Sequence, residues 1–529
     1  MFAYTFRVSA VRTCLFVSCD TVYYRRGIIA QQNQQCLHST MSAPPPVVVI
    51  LGSTGTGKTK LSLELASRYA GEVISADSMQ VYTGLDIVTA KATKEEQQQV
   101  VHHLLSVVTP DQAFTVTHFR ESALPIIDSL LASSRMPIIV GGTNYYIESI
   151  LWRVLLGESV KRERVRTRSV TEVQDISEPV AKQPKAAGAV TMEDENVLER
   201  VLEQLPTMGS SDALEAYESS LLHRVLERVD PESAERLHPN NKRKIIRALE
   251  VYMEFGGQRT MSQELADQRA APGSCNLGGP LRYRNVVILW LRCDQDILNR
   301  RLNERVDSMV AQGLLPEIRV FYETYVKPYS ACEYHRGILQ SIGFKEFVKY
   351  LDRYGPEMDH ELLEYRSVAQ EFRGPKPAGL DQLEDCLEYL KLVTRRYARR
   401  QLQWIRNRFL CDTGREIPPI YALDTSEINS WNVQVSDKAI AIIDAAIAGE
   451  PSPFPCEPKT EYHHERLHKE RTYRCESCAR VFIGEYQWQI HIRSKKHRKM
   501  LKHNKNLSDR NDPNTDREDT TVEIETEPK

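Results

Sequence analysis

Residues 47–59 read VVVILGSTGTGKT. The first five residues are apolar and four of them are β-branched, which predicts a short strand buried on both faces. Gly52-Ser53-Thr54-Gly55-Thr56-Gly57-Lys58-Thr59 follows at once and fits the pattern GxxxxGK[ST]. Leu61, Leu65 and Tyr69 then recur at helical spacing. Glycines let backbone N–H groups converge on phosphate oxygens with no Cβ in the way. The helix start adds its positive end. Lys58 supplies a point charge, and Thr59 a hydroxyl suited to Mg²⁺. A strand, loop and helix of this kind bind a di- or triphosphate; the motif does not say which.

Outward from this loop, apolar runs recur at 73–75, 137–140 and 286–291, with helical segments between them. Strands alternating with helices predict an α/β fold, a phosphate-loop NTPase-like parallel sheet with helices on both faces. A nucleotide hydrolase normally places an Asp at the end of a buried strand. Here 137–140 runs instead into Gly141-Gly142-Thr143. The run at 73–75 leads into Ala76-Asp77-Ser78-Met79-Gln80, so Asp77 is the acid at a strand's C-terminal end. Ligands of open α/β sheets sit at those ends. A carboxylate beside a phosphate site either holds metal or acts as a general base. After 286–291, Leu298, Leu302, Val306 and Met309 predict a helix over 295–312. Arg301 and Arg305 share one face of it. The guanidinium fork matches phosphate geometry.

The chain has 529 residues, 41% hydrophobic and 26% charged, as expected of a globular protein with several domains. No apolar run reaches the ~18 residues of a membrane-spanning helix. Lys and Arg total 69 against 71 acids, so a globally basic coat is excluded while local patches are not. The eleven cysteines are too scattered for a disulfide framework, which favours a reducing compartment. Residues 1–46 carry Arg7, Arg12, Arg25 and Arg26 with Asp20 as the only acid, the composition of a mitochondrial presequence. Met41 would start a shorter form without it, giving a cytoplasmic or nuclear pool.

Residues 160–195 hold few large apolar side chains and predict a disordered insertion. Residues 196–270 are helical in pattern and predict a small inserted domain. Residues 271–280 lead back to the core, whose parts are 47–159 and 281–425. Pro451, Pro453 and Pro455 mark a linker before a Cys/His unit at 470–505, and 506–529 is a polar, acidic tail expected to be disordered.

Two basic patches stand out. Residues 394–409, TRRYARRQLQWIRNRF, carry six arginines, among them Arg396 and Arg400, with Tyr397, Trp404 and Phe409 interleaved and no acid. Residues 241–247, NKRKIIR, form the second patch, in the helical insertion. Such charge calls for a polyanion. Cys475-x2-Cys478-x12-His491-x5-His497 has the spacing of a tetrahedral Zn²⁺ site in a ββα finger, with Phe482 and Trp488 as its core. A unit of ~30 residues folds only with its metal. The five-residue gap between the histidines resembles RNA-associated fingers of the matrin/U1 type.

Taken together, the segments GSTGTGKT (52–59), ISADSMQVYTGLDIVTAK (74–91), PIIVGGTNYYI (137–147), RVDSMVAQGLLPEI (305–318) and TRRYARRQLQWIR (394–406) resemble the tRNA dimethylallyltransferases. Eukaryotic members of that family carry a C-terminal finger. The resemblance implies that the loop, Gly52 and Thr54 to Thr59, holds the diphosphate of dimethylallyl diphosphate rather than ATP. It implies attack on C1 of the prenyl group by the exocyclic N6 of the adenine 3′ to the anticodon. Asp77 matches the base; Arg305 and Thr59, with Mg²⁺, match the groups on the leaving diphosphate. Thr143 matches a residue contacting adenine and leaving group. Asp77, Ser78, Met79 and Gln80, with Arg243, Lys244 and Arg247 in the insertion, match positions that contact tRNA. Arg396, Arg400 and Gln401 match the RNA-facing helix. A monomer is expected. The loop, arginine helix and insertion also suit a nucleoside or nucleotide kinase, and a phosphate loop without catalysis would suit an RNA-binding regulator.

Overall fold

The computed structural model describes residues 44–153, 192–208, 211–270, 279–328, 337–368, 374–412, 414–460, 472–478 and 480–502. The predicted presequence up to residue 43, most of the insertion at 160–195, the linker at 271–278 and the acidic tail lie outside them.

In chain order the main elements are β1 (Val47–Gly52), α1 (Lys58–Arg68), β2 (Glu72–Ser75), β3 (His102–His103), α2 (Val116–Ala132), β4 (Pro137–Val140) and α3 (Asn144–Leu151). Then come α4 (Met192–Gln204), α5 (Ser219–Val229), α6 (Pro231–Arg236), α7 (Lys242–Glu254) and α8 (Met261–Ala270). The core resumes with β5 (Val286–Arg292), α9 (Gln295–Ala311), α10 (Leu314–Tyr325), α11 (Val348–Arg353), α12 (Pro356–Ser367), α13 (Leu380–Arg408), β6 (Ile420–Asp424) and α14 (Asp437–Ala448). The finger is β7 (Thr472–Cys475), β8 (Arg480–Ile483) and α15 (Glu485–Arg493).

The chain divides into two compact units, one holding residues up to 153 and from 279 to 460, the other holding 192–270 and the finger. In the first, six parallel strands lie in the order β3-β2-β4-β1-β5-β6. β1 is central, and both its faces are covered. Val47, Val49 and Leu51 enter one apolar cluster, with Phe119 and Ile147. Val48 and Ile50 enter another, with Leu61 and Leu65 of α1. This double burial is why the run at 47–51 has no polar alternation. Placing β1 between β4 and β5 puts the ends of β1, β2 and β4 around one crevice.

The core continues past residue 425. β6 pairs with β5, and Trp431, Val435, Ala439, Ile442 and Ile443 pack on the same face as Val48 and Ile50. In the second unit, Leu198, Leu214, Leu222, Val225, Ile245 and Leu249 form a separate apolar centre. Thr472 Oγ1 donates to Glu235 O at 2.7 Å, and a ring nitrogen of His238 meets Val481 O at 3.2 Å, so finger and helices touch within that unit. Among the described residues no helix is long and apolar enough to cross a membrane.

Candidate active site

The loop after β1 is shaped by its own hydrogen bonds. Thr56 Oγ1 donates to Ser53 O at 2.9 Å, and Lys58 Nζ donates to Gly52 O at 3.0 Å and Ser53 O at 2.8 Å. Gly57 caps α1 with φ +88°, and a Cβ there would stand 2.8 Å from the Trp431 ring. No side chain caps α1, and its first turn holds no acid. Its first amides are therefore left to an anion. Burial, and then the charge of Arg305, pull the Lys58 ammonium down to about 8, with Asp77 acting the other way. Arg305, on α9, is itself lowered by burial and supported by Asp77. Two cations and one carboxylate thus share a small volume, and an added polyanion relieves the repulsion between the cations.

Asp77 leaves the end of β2 and is held from both sides. Oδ1 accepts from the N–H of Met79 at 2.9 Å and of Gln80 at 3.4 Å. Oδ2 accepts from Gly142 N–H at 3.3 Å. Gly142 is required at that approach, because a Cβ would lie 2.8 Å from Gln401 Nε2 and 2.9 Å from Asp77 Oδ2. Thr143 follows; its Oγ1 accepts from Ser78 N–H at 3.0 Å and shares a hydrogen bond with Ser78 Oγ at 3.1 Å. The two strand ends are laced together, which fixes the carboxylate in place.

One cavity of about 870 Å³ joins these groups: Thr54, Lys58, Thr59, Asp77, Thr143 and Arg305 all line it. One stretch of its wall is apolar, with Val88, Met309, Leu314, Ile342 and Leu390. Another is aromatic, with Tyr145 and Trp404 in an edge contact at 6.1 Å between ring centroids. Tyr397 donates its hydroxyl to Gly142 O at 3.2 Å; burial, and then Asp77, push its phenol up, so it stays protonated.

Several expected site residues are placed differently. Gln401, expected on the RNA-facing side of α13, is 4% exposed and hydrogen-bonded inside the site. Gln80 lines the cavity, but its amide donates to Thr89 O and Ala90 O, each at 3.1 Å. Arg301 spends its guanidinium on Thr425 O and Ser426 O, each at 2.7 Å. Phe409 belongs to the core beside Trp152. Arg396 and Arg400 are exposed, as are Arg243 and Lys244 on α7. Arg247 pairs with Glu250 at 3.2 Å and Glu254 at 3.6 Å. Ser78 and Met79 line the cavity, as does Lys345, to which the sequence analysis gave no role. Glu148 was missed too: nearly buried in α3, it accepts from Trp404 Nε1 at 2.9 Å and Arg408 Nη2 at 2.8 Å, anchoring the basic helix.

In the finger, the ligand atoms of Cys475, Cys478, His491 and His497 lie within 4.8 Å of one another. The Nε2 of His491 is buried with no hydrogen-bond partner, an orphan that a metal would satisfy. Phe482 stacks on His491 at 4.1 Å, and Tyr473 stacks on Trp488 at 5.6 Å. The two sulfurs, two ring nitrogens and this core fit a tetrahedral structural metal.

Fold and crevice define a phosphate-loop α/β protein in whose cavity, among the described residues, Asp77 is the one carboxylate. Residues 80–408 match the family model described as IPP transferase, and residues 45–108 the one described as isopentenyl transferase. The chain belongs to the tRNA dimethylallyltransferase family. It is 39% identical to the tRNA dimethylallyltransferases of Mus musculus and of Homo sapiens, over 87% of this chain and 87% of theirs. The enzyme of the same name from Schizosaccharomyces pombe is 30% identical, over 88% of this chain and 97% of its own. A solved eukaryotic dimethylallyltransferase, captured acting on tRNA, is similar with a TM-score of 0.65 and 27% identity, covering 88% of this chain and 98% of that one. Residues 472–498 match a zinc finger described as double-stranded RNA-binding.

Proposed function

We propose that this protein transfers a dimethylallyl group from dimethylallyl diphosphate to N6 of the adenine 3′ to the anticodon of tRNA. One observation carries the reading. Asp77 is held rigidly across a single cavity from a phosphate loop whose helix amides are uncapped, with Lys58 and Arg305 alongside. A base and an anion cradle are what an allylic diphosphate and an aromatic amine need.

The diphosphate lies against the amides of residues 55–59 and the Lys58 ammonium, the Thr54 amide being held by Gln401. The N6 lone pair attacks C1 as the bond from C1 to the diphosphate oxygen breaks. Asp77 takes the N6 proton, since an aromatic amine is a poor nucleophile until it begins to lose one. Lys58 and Arg305 bear on the oxygens where charge collects as the diphosphate leaves. Thr143 stands beside Asp77, where adenine and leaving group meet. Mg²⁺, when bound, offsets diphosphate charge, and Thr59, which lines the cavity at the start of α1, is the residue to hold it. The target base reaches this cavity only if flipped out of its loop, and the aromatic and apolar walls suit a flipped purine and a prenyl chain.

Exposed Arg396 and Arg400 on α13, and Arg243 and Lys244 on α7, supply phosphate contacts for tRNA, with Arg247, paired with Glu250 and Glu254, beside them. Zn²⁺ on Cys475, Cys478, His491 and His497 folds the finger, which grips the double-stranded stem. The protein acts as a monomer. Residues 1–46 direct it to mitochondria, and initiation at Met41 leaves a pool outside; a reporter fused to residues 1–46 that stays cytosolic would refute this.

The deciding experiment incubates the protein with labelled dimethylallyl diphosphate, Mg²⁺ and tRNA in the absence of ATP. Label appearing in N6-modified adenosine is the expected result. Phosphoryl transfer from ATP instead would make it a kinase, and tRNA binding with neither reaction a regulator.

A further inference from the structure

Gln401 lies on the inward face of α13 with Ala398 and Ile405, all three buried. Its side-chain oxygen accepts from the backbone N–H of Thr54, in the phosphate loop, at 2.9 Å. Its side-chain nitrogen donates to the carbonyl of Gly142 at 2.8 Å. The N–H of Gly142 in turn donates to Asp77 Oδ2 at 3.3 Å. The cradle and the carboxylate are therefore linked through Gln401 and the Gly142 backbone, whose carbonyl takes one bond and whose N–H, in the preceding peptide group, makes the other. The backbone around Gln401 is fixed as well, since Asn144 Nδ2 donates to Gln401 O at 3.3 Å.

We propose that Gln401 is a positioning residue that sets the distance between the departing diphosphate and the base Asp77, and does not itself contact RNA. The inference rests on the prenyl-transfer reading above. An amide of this length is the side chain that accepts from Thr54 and donates to Gly142 at once. Asn is one methylene short. Glu keeps the acceptor but loses the donor, and puts a second negative charge beside Asp77. Met keeps the length and bulk and makes neither bond. In-line displacement demands that nucleophile, carbon and leaving group be aligned, and misplacement by ~1 Å costs on the order of 100-fold. Because Gln401 belongs to the helix that presents Arg396 and Arg400 to solvent, it also ties the RNA-facing surface to the cradle.

The test uses the full chain with labelled dimethylallyl diphosphate and tRNA, and compares wild type, Gln401→Met and Gln401→Glu. Single-turnover transfer rate, tRNA affinity by filter binding and the melting curve are measured for each. Gln401→Met is expected to melt cooperatively, bind tRNA as wild type does, and transfer about 100-fold more slowly. Gln401→Glu is expected to be slow too, because it loses the donor to Gly142 O and sets a second carboxyl beside Asp77. A wild-type single-turnover rate for Gln401→Met or for Gln401→Glu overturns the proposal. So does weakened tRNA binding at an unchanged rate, which would return Gln401 to the RNA interface. A wild-type protein that transfers no prenyl group contradicts the proposed function itself, a separate result visible in the first lane.

Discussion

The phosphate loop and the C-terminal finger are each shaped for an ion, and they are prepared for it in opposite ways. In the loop, Lys58 and Thr56 are already hydrogen-bonded to backbone carbonyls, and Asp77 is held by three backbone amides. Its strand is buried on both faces. In the finger, the buried polar atom at the centre, His491 Nε2, has no partner, and the apolar content is a few aromatic rings. The first site exists before its ligand because a sheet holds it. The second is completed by its ligand because ~30 residues bury too little to stand alone. Chemistry that tolerates little misplacement sits on the prebuilt site, and the RNA contact proposed for the finger sits on the conditional one.

The largest effect that would break this contrast concerns Asp77. Asp77→Asn keeps the shape and loses the base, so kcat should fall by ~10³-fold, within the range for general-base removal. Affinity for tRNA and donor should hold. A variant that turns over at the wild-type rate would mean the prebuilt carboxylate is not the base.

Second in size is a pH effect on donor binding. In the unliganded protein Lys58 loses its proton near pH 8, well below the usual 10.5. The diphosphate binds the charged form and restores its proton affinity. Donor affinity should therefore be steady below pH 8 and weaken by about tenfold per unit above it, measured as KM for dimethylallyl diphosphate. Lys58→Arg should lack that break, since guanidinium stays charged. A flat wild-type profile up to pH 10 would contradict the crowding of Lys58 and Arg305.

The smallest effect belongs to the finger. Cys475→Ser, or removal of zinc by a chelator, should weaken tRNA binding by roughly tenfold, about 1.4 kcal/mol. The single-turnover rate at saturating tRNA should not change. A lost rate would show that the finger shapes the chemical site as well.

The same contrast governs what the sequence revealed. Strands β1, β4 and β5 were legible because burial on both faces leaves apolar runs with no polar alternation, and β2 because Val73-Ile74 leads into Asp77. β3 is only His102–His103, and β6 is the mixed stretch IYALD at an edge, so neither has such a run. The loop, Asp77 and the finger ligands were legible because their spacing is dictated by ion geometry. Gln401 was read with its arginine neighbours as an outward residue. Its inward direction was present in the spacing of Ala398, Gln401 and Ile405, which share a helical face, but a polar residue on that face is masked by six surrounding charges. Glu148 carried no sequence signal, because its partners Trp404 and Arg408 lie more than 250 positions away.

The central claim is that amides shaped for a nucleotide's phosphates grip the diphosphate of an allylic donor opposite Asp77. It is tested most directly by a crystal structure with a non-reactive thio analogue of dimethylallyl diphosphate and an anticodon stem-loop. The account expects the diphosphate within hydrogen-bonding distance of Lys58 Nζ and the amides of residues 55–59, with the Asp77 carboxylate facing the flipped adenine's N6. A diphosphate bound elsewhere, or an adenine whose N6 points away from Asp77, would contradict it.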